Sequence, residues 1–118
     1  MTIRLPTTVY VATAPIDLRL SFDRLAGLVR EKLGAEPRGE TAYVFHNRVR
    51  THLKILWHDG RGYCVFYKRL DRGTYRIPLA IPAGAVSVSM SAGELSVLFE
   101  GLDEATLRAA RRSAQAGR

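Results

Sequence analysis

The feature that most constrains the fold is a pair of strand-like segments separated by a short turn signal. Residues 53–58 and 62–70 are rich in aliphatic and aromatic side chains, and Asp59-Gly60 lies between them. Glycine readily takes the positive φ that a tight hairpin turn needs, so this pattern predicts a β-hairpin. Most of the positive charge of the chain collects in and around the same hairpin.

Alternation along the two strands assigns the hairpin side chains to two opposite faces. One face is apolar in composition and is predicted to be core, although Lys68 lies near one end: Leu53, Ile55, Trp57, Cys64, Phe66 and Leu70. The other face mixes cations with tyrosines: Lys54, Leu56, His58, Tyr63, Val65, Tyr67 and Arg69. This second face is suited to contact with another molecule, or it is a solvated sheet face. The residues alone leave both interpretations open.

The rest of the chain supplies further strands and two helices. Strands are predicted at residues 7–12, 42–45, 75–77 and 86–90 from their β-branched and aromatic content. Apolar residues at helical spacing predict a helix over residues 21–33, with Ser21 as its N-cap and Gly34 just after its end. Ser91 and Glu94 have capping-box spacing and open a second helix that Gly101 closes. The expected fold class is therefore α+β, with a mainly antiparallel sheet of four to six strands.

Length and composition predict one domain over residues 1–102, followed by a basic Ala- and Arg-rich tail over residues 103–118 that is helical or disordered. The single Cys64 excludes an internal disulfide and fits a reducing cytoplasm. The start of the chain lacks the apolar stretch of a signal peptide. The longest uncharged run, residues 77–93, contains two prolines and is shorter than the ~20 apolar residues of a spanning helix. No membrane segment is expected.

Few residues suit catalysis, and neither a metal nor another cofactor is expected. The three histidines recur every six residues with Cys64, but six residues of strand extend roughly 20 Å, too far for His52 and His58 to share an ion. Asp59 is expected to be a turn residue, and only Asp17 lacks a structural role among the aspartates that a nuclease would need. With no phosphate-binding loop or nucleophile elbow, we expect a protein that is not an enzyme.

The distribution of basic residues indicates instead that the protein binds a polyanion. Between Arg48 and Arg76 there are eight basic and two acidic residues, so this segment carries +6 of the +7 of the whole chain. Lysine and arginine contact phosphates, and arginine can also read guanine. The alternative is an edge strand that its charges protect from aggregation. We expect DNA binding through Arg48, Arg50, Lys54, Lys68, Arg69 and Arg72, with Arg69 nearest a base edge and with Tyr63 and Tyr67 beside them.

From about Val9 to Leu102, the chain resembles the TnpB-type accessory protein of bacterial insertion sequences of family sixty-six. The resemblance rests on Val44-Phe45, Asn47-Arg48, Leu53-Lys54-Ile55-Leu56-Trp57, Asp59-Gly60, Gly62, Lys68-Arg69-Leu70, Gly73 and Pro78. Val49 and Thr51 stand where charged residues are usual in that family. The resemblance implies an accessory factor that assists a separately encoded transposase. A larger RNA-guided nuclease shares the name but is unrelated.

Three functions follow from the residues and the resemblance. The first is a transposition accessory protein that binds DNA at the ends of the element through the basic hairpin. The second is a protein adaptor that docks on the transposase without touching DNA. The third is an RNA-binding module, which ranks last because the chain has no consecutive aromatic pattern of the RNP type.

Overall fold

A computed structural model describes residues 5–76, 81–91, 93–95 and 98 of the chain. Within them the elements are β1 (Thr8–Ala12), α1 (Phe22–Glu31), β2 (Thr41–His46), β3 (His52–His58), β4 (Tyr63–Arg69) and β5 (Ser87–Met90). Residues 93–95 and 98 are helical as well. Each predicted hairpin strand is therefore confirmed to within a residue or two. The described part of the chain contains no helix long and apolar enough to cross a membrane.

The five strands form one sheet in the order β4-β3-β2-β1-β5. Strands β1 and β2 are parallel, since α1 carries the chain from one to the other. The other three strand pairs are antiparallel. The predicted α+β class is thus confirmed, with a mainly antiparallel sheet, one helix after the first strand and one near the carboxyl end.

The register of the hairpin confirms the two predicted sets of side chains. Ile55 lies opposite Phe66 and Trp57 opposite Cys64, so these residues share a face. Lys54 lies opposite Tyr67 on the other face. The turn between the strands begins at Asp59, whose carboxylate accepts hydrogen bonds from two following backbone N–H groups, and Gly60 has the expected positive φ of 97°.

Both faces of the sheet are covered, which corrects the expectation of one open face. On one side α1 buries Leu25, Ala26 and Val29 in a cluster that includes Leu56. On the other side, residues outside the strands, among them Tyr75, complete a second apolar cluster. The second hairpin face is therefore neither a free contact surface nor a solvated one over most of its length, because an amphipathic helix needs an apolar surface to cover.

Three local expectations have mixed outcomes. The capping box is confirmed, since the Glu94 N–H donates to Ser91 Oγ (3.1 Å) and the Ser91 N–H donates to Glu94 Oε1 (3.3 Å). Ser21 does precede α1, but its side chain makes no capping hydrogen bond, and α1 ends two residues earlier than predicted.

The prediction of a strand at residues 75–77 is wrong for residues 75 and 76, which the structure describes. Tyr75 and Arg76 are not in a strand; Tyr75 is fully buried instead, and its hydroxyl donates to the Lys68 carbonyl oxygen at 3.4 Å. Burial of this aromatic side chain in the core fixes the chain after β4 in a loop, and the Tyr75 N–H donates to the Arg50 carbonyl oxygen. Ile77, Gly101 and the predicted tail lie outside the described residues.

Candidate nucleic-acid interface

Two basic segments meet at one end of the sheet. The end of β2, the start of β3 and the end of β4 are neighbours in the antiparallel register, so the β2–β3 loop adjoins the segment after β4. Two backbone hydrogen bonds join them: the Leu70 N–H donates to the Thr51 carbonyl (2.9 Å) and the Tyr75 N–H donates to the Arg50 carbonyl (2.7 Å). Segments that are 20 residues apart in sequence therefore form one surface.

Four exposed arginines lie on this surface, and we call them the basic end: Arg48, Arg50, Arg69 and Arg72. Asp71 is the acidic residue among them, so cations outnumber carboxylates four to one. Within the described ranges, no salt bridge involves any of these four arginines. The arrangement places four exposed arginines on adjoining segments, which suits a ligand with several phosphates.

The side chain of Asn47 organises the β2–β3 loop. Its Oδ1 accepts hydrogen bonds from the Thr51 N–H (2.9 Å) and the His52 N–H (3.0 Å). Its Nδ2 donates to Thr51 Oγ1 at 3.0 Å. The predicted site does not include this residue, although an asparagine at the end of a strand is a common signal for a side chain that bonds to the backbone of a turn.

The backbone at Arg50 is in the left-handed region, with φ of 58°. Its N–H donates to the Asn47 carbonyl at 3.1 Å, which closes the turn. Positive φ is uncommon for a residue with a Cβ, and here it turns the chain so that the Arg50 carbonyl meets Tyr75. An arginine therefore occupies a backbone conformation that glycine would adopt more easily.

Tyr67 lies beside the basic end with an exposed ring. Its side chain is 54% exposed, and it shares a face of β4 with Arg69. The imidazole ring of His52 lies 5.9 Å from the Tyr67 ring between centroids, and Lys54 Nζ lies 4.7 Å from the Tyr67 centroid. These neighbours contact the ring while about half of the residue remains exposed, as a stacking or hydrogen-bonding group requires.

Lys54 differs from the expectation that it contacts phosphate. It is only 7% exposed, because β3 is flanked by strands on both sides and α1 lies over this face. Its ammonium donates a 2.7 Å hydrogen bond to the Leu20 carbonyl oxygen. The lysine thus links β3 to the segment before α1, and we leave it out of the candidate site.

Tyr63 also lies away from the basic end. It begins β4, and Arg69 ends it, so the two are separated by roughly 20 Å of extended chain. Its hydroxyl is buried and has no hydrogen-bond partner within the described residues. Lys68 is half-buried and belongs to the opposite face of β4, where it can only border the cluster. Of the eight predicted site residues, five are exposed together at one end: Arg48, Arg50, Tyr67, Arg69 and Arg72.

Asp17, which the sequence left without a role, has an ion-pair partner. Its carboxylate accepts hydrogen bonds from Arg19 Nε (3.1 Å) and Arg19 Nη2 (2.8 Å), and the Arg19 N–H donates to it as well. These hydrogen bonds lower the pKa of Asp17 to about 2. The Ile16 N–H donates to the His46 carbonyl, so this pair lies near the same end of the sheet.

The histidines and the cysteine take internal roles. His46 is buried, with Nε2 3.1 Å from the Ala12 carbonyl oxygen, and His58 Nδ1 accepts from the Gly60 N–H. Burial, followed by the nearby Asp59 carboxylate, raises the pKa of the Cys64 thiol. No cluster of three histidine, cysteine or acidic residues that could hold a metal exists in the part of the chain described here.

A cavity of about 290 Å³ lies between the loop after β1 and the second half of α1. Its lining is almost wholly apolar, and Thr13 and Lys32 are its polar residues. It contains no carboxylate, histidine or cysteine that could act as a general acid, base or nucleophile. The cavity therefore does not have the composition of a catalytic site.

Comparison with known proteins identifies relatives over most of the chain. Residues 7–109 match the family model described as "IS66 Orf2 like protein". The chain is 41% identical over 95 residues to the uncharacterized protein y4hO of Sinorhizobium fredii (strain NBRC 101917 / NGR234), and the aligned region covers 80% of each chain. It is 33% identical over 95 residues to the uncharacterized protein y4jC of the same strain, which covers 80% of this chain and 79% of that relative. No solved structure matches the chain.

Proposed function

The chain belongs to the IS66 Orf2-like family, and from that premise we propose that it is a non-enzymatic accessory protein of transposition that binds DNA through its basic end. The family connects the chain with an insertion sequence, whose movement requires proteins that handle DNA. One observation carries the proposal. Two loops that are distant in sequence are joined by backbone hydrogen bonds, so that four exposed arginines face outward together.

Arginine in this arrangement suits a nucleic-acid backbone. A guanidinium group keeps its charge at any physiological pH and presents several N–H donors to phosphate oxygens. Duplex DNA carries about one negative charge per 1.7 Å of helix axis, so a cluster of cations meets several phosphates at once. Since the loops are fixed to each other, little order must be gained when DNA binds, which favours affinity.

Base reading, if present, is expected from Arg69. It ends β4 beside the exposed Tyr67 ring, whereas Arg48, Arg50 and Arg72 lie in loops that suit phosphate contact. A bidentate contact of arginine with guanine contributes roughly 1–3 kcal/mol of discrimination between bases. Arg69→Ala should therefore reduce any preference for one sequence, while Arg48→Ala should weaken binding to all sequences about equally.

The test is binding of the purified protein to labelled element-end DNA and to a scrambled duplex, measured by fluorescence anisotropy across a salt series. Phosphate contacts by the three loop arginines predict a slope of about −2.7 for log K against log salt, a further contact by Arg69 would make it about −3.6, and loss of one contact reduces its magnitude by about 0.9. Arg61→Ala is the matched control, because Arg61 is exposed but lies in the turn at the other end of the sheet. Equal effects of Arg48→Ala and Arg61→Ala would show that only total charge matters and would contradict the proposed site.

A double variant tests the end of β4. Lys68→Ala combined with Arg69→Ala should weaken binding and flatten the salt dependence. Unchanged binding would remove the hairpin from the proposed interface. The single variant Arg69→Ala separates the exposed arginine from the half-buried lysine.

The same titration addresses the alternative, in which the protein docks on the transposase and does not touch DNA. Absence of DNA binding at low salt would refute the proposal and favour this adaptor function. Co-purification with the separately encoded transposase at salt concentrations that disrupt phosphate contacts would then support it. Binding to DNA with the predicted slope, together with no association at any salt, would count against the adaptor.

A further inference from the structure

Strand β4 ends the sheet, and one side of its backbone faces away from β3. The hydrogen bonds of Leu70 with Thr51 and of Asp59 with Gly62 fix which residues face inward. By alternation, residues 64, 66 and 68 bond to β3, and the backbone groups of residues 63, 65, 67 and 69 point outward. Within the ranges described, no strand pairs with this outer side. The strand is seven residues long and contains neither proline nor glycine.

An edge of this kind is a template for another strand unless the sequence prevents pairing. The usual protections are proline, bulges, charged side chains (lysine above all) and a covering helix or loop. In β4 the only cations are the last two residues, Lys68 and Arg69, and the preceding five residues carry no charge. Phe66 and Tyr67 are 42% and 54% exposed at the centre of the strand.

We propose that β4 pairs in antiparallel fashion with β4 of a second copy of this chain, with the two-fold axis passing through Phe66. In this register the outward-facing Val65 and Tyr67 exchange backbone hydrogen bonds with Tyr67 and Val65 of the second copy. The outward-facing Tyr63 pairs with Arg69 in the same manner. Four such bonded pairs give about eight hydrogen bonds, since each contributes two. The two sheets become one sheet of ten strands.

The distribution of charge selects this register and this partner. With the axis at Phe66, Lys68 lies opposite Cys64 and Arg69 lies opposite Tyr63, where a guanidinium group can contact an aromatic ring. An axis at Lys68 or Arg69 would place a cation opposite its own copy, which destabilises a strand pair, and an axis at Tyr67 would shorten the paired segment. Moving it toward the amino end would shorten the paired segment. Only the centred register uses all seven residues and keeps like charges apart.

The symmetry also fixes how the two copies are arranged. A two-fold axis perpendicular to the sheet leaves both α1 helices on one side and both Phe66 rings on the other. The two basic ends then lie at opposite ends of the ten-stranded sheet, because the two β4 strands run in opposite directions. The proposal concerns contact between copies and holds whether or not the basic end binds DNA, so the two proposals can fail separately.

Disulfide cross-linking tests the register directly. The Phe66 residues of the two copies form a non-hydrogen-bonded pair of the antiparallel ladder, with Cα atoms about 4.5 Å apart. That separation lies within the roughly 4.4–6.8 Å over which a disulfide can form. Phe66→Cys in a Cys64→Ser background should therefore give a disulfide-linked dimer under mild oxidation. Val49→Cys in the same background is the control, since Val49 is 63% exposed but lies in the β2–β3 loop.

A second variant tests the dimer without a cross-link. Phe66→Lys places two ammonium groups at the axis and should weaken self-association at least tenfold in sedimentation equilibrium. The unchanged protein should sediment as a dimer over the same concentration range. Cross-linking of Phe66→Cys no faster than Val49→Cys would overturn the proposal, as would a monomeric unchanged protein. If Phe66→Lys does not fold, the cross-linking rates alone decide the question.

Discussion

Replacing Arg50 by glycine should give a more stable protein than replacing it by alanine, and both replacements should weaken DNA binding. Arg50 has a φ of 58°, and a residue with a Cβ pays roughly 1–2 kcal/mol to hold the left-handed conformation. Glycine avoids this cost, but it loses about 0.5–1 kcal/mol more conformational entropy on folding. Arg50→Gly should therefore be more stable than Arg50→Ala by about 0.5–1 kcal/mol. Alanine is the right comparison because it removes the same side-chain charge and keeps the Cβ.

Thermal denaturation followed by circular dichroism measures the difference. For a domain of this size, 1 kcal/mol shifts the midpoint by about 4 °C, so Arg50→Gly should melt about 2–4 °C above Arg50→Ala. Both variants should lose the same part of the salt dependence of DNA binding, because both remove one phosphate contact.

Arg72 provides the control for the backbone argument. It is an exposed arginine of the same surface, and Arg50 is the residue other than glycine with positive φ in the described part of the chain. Arg72→Gly should therefore be no more stable than Arg72→Ala. An Arg50→Gly protein that melts below Arg50→Ala would refute the reasoning, since it would show that the left-handed conformation costs less than the extra conformational entropy that glycine loses.

Three further predictions concern the surroundings of the basic end. Asn47→Ala removes four hydrogen bonds of the loop and should cost about 2 kcal/mol of stability in chemical denaturation, without altering the net charge. Lys54→Met should also destabilise, by about 1–3 kcal/mol, because the Leu20 carbonyl loses its donor; the salt slope of DNA binding should stay unchanged, and a flatter slope would restore Lys54 to the interface. The pKa of Asp17, followed by carboxyl NMR shifts, should be about 2, and Arg19→Ala should return it toward 3.8. Since the folded pKa is the lower one, this contribution to stability is present above about pH 4 and is lost as the pH falls toward 2.

The hairpin could be predicted because its signals are local. Asp59-Gly60 marks the turn, and an even-numbered connection then determines which side chains share a face, as the pairing of Ile55 with Phe66 shows. The alternation of side chains along a strand, however, does not show which faces of the sheet are covered by other elements. The burial of Lys54 depends on α1 and on the position of β3 inside the sheet, and neither is encoded near residue 54.

The candidate site was predictable in composition but not in shape. Charge clustering located the arginines, whereas the contact between their two loops follows from the strand order and from two long-range backbone hydrogen bonds. The positive φ of Arg50 had no sequence signal, because neither glycine nor asparagine occupies the position. Tyr63 was assigned to the site because it shares a face with Tyr67, but sharing a face does not place two residues at the same end of a strand.

The two hydrogen bonds that join the basic loops involve only main-chain atoms. Any residue other than proline can donate from its backbone N–H, and every residue can accept at its carbonyl oxygen. The side chains at positions 48, 49 and 72 are exposed and make no contribution to these bonds. Mutation can therefore exchange them with little effect on the geometry of the loops. Copies of such a protein that accompany different mobile elements can diverge in the side chains of this surface while the sheet beneath remains the same.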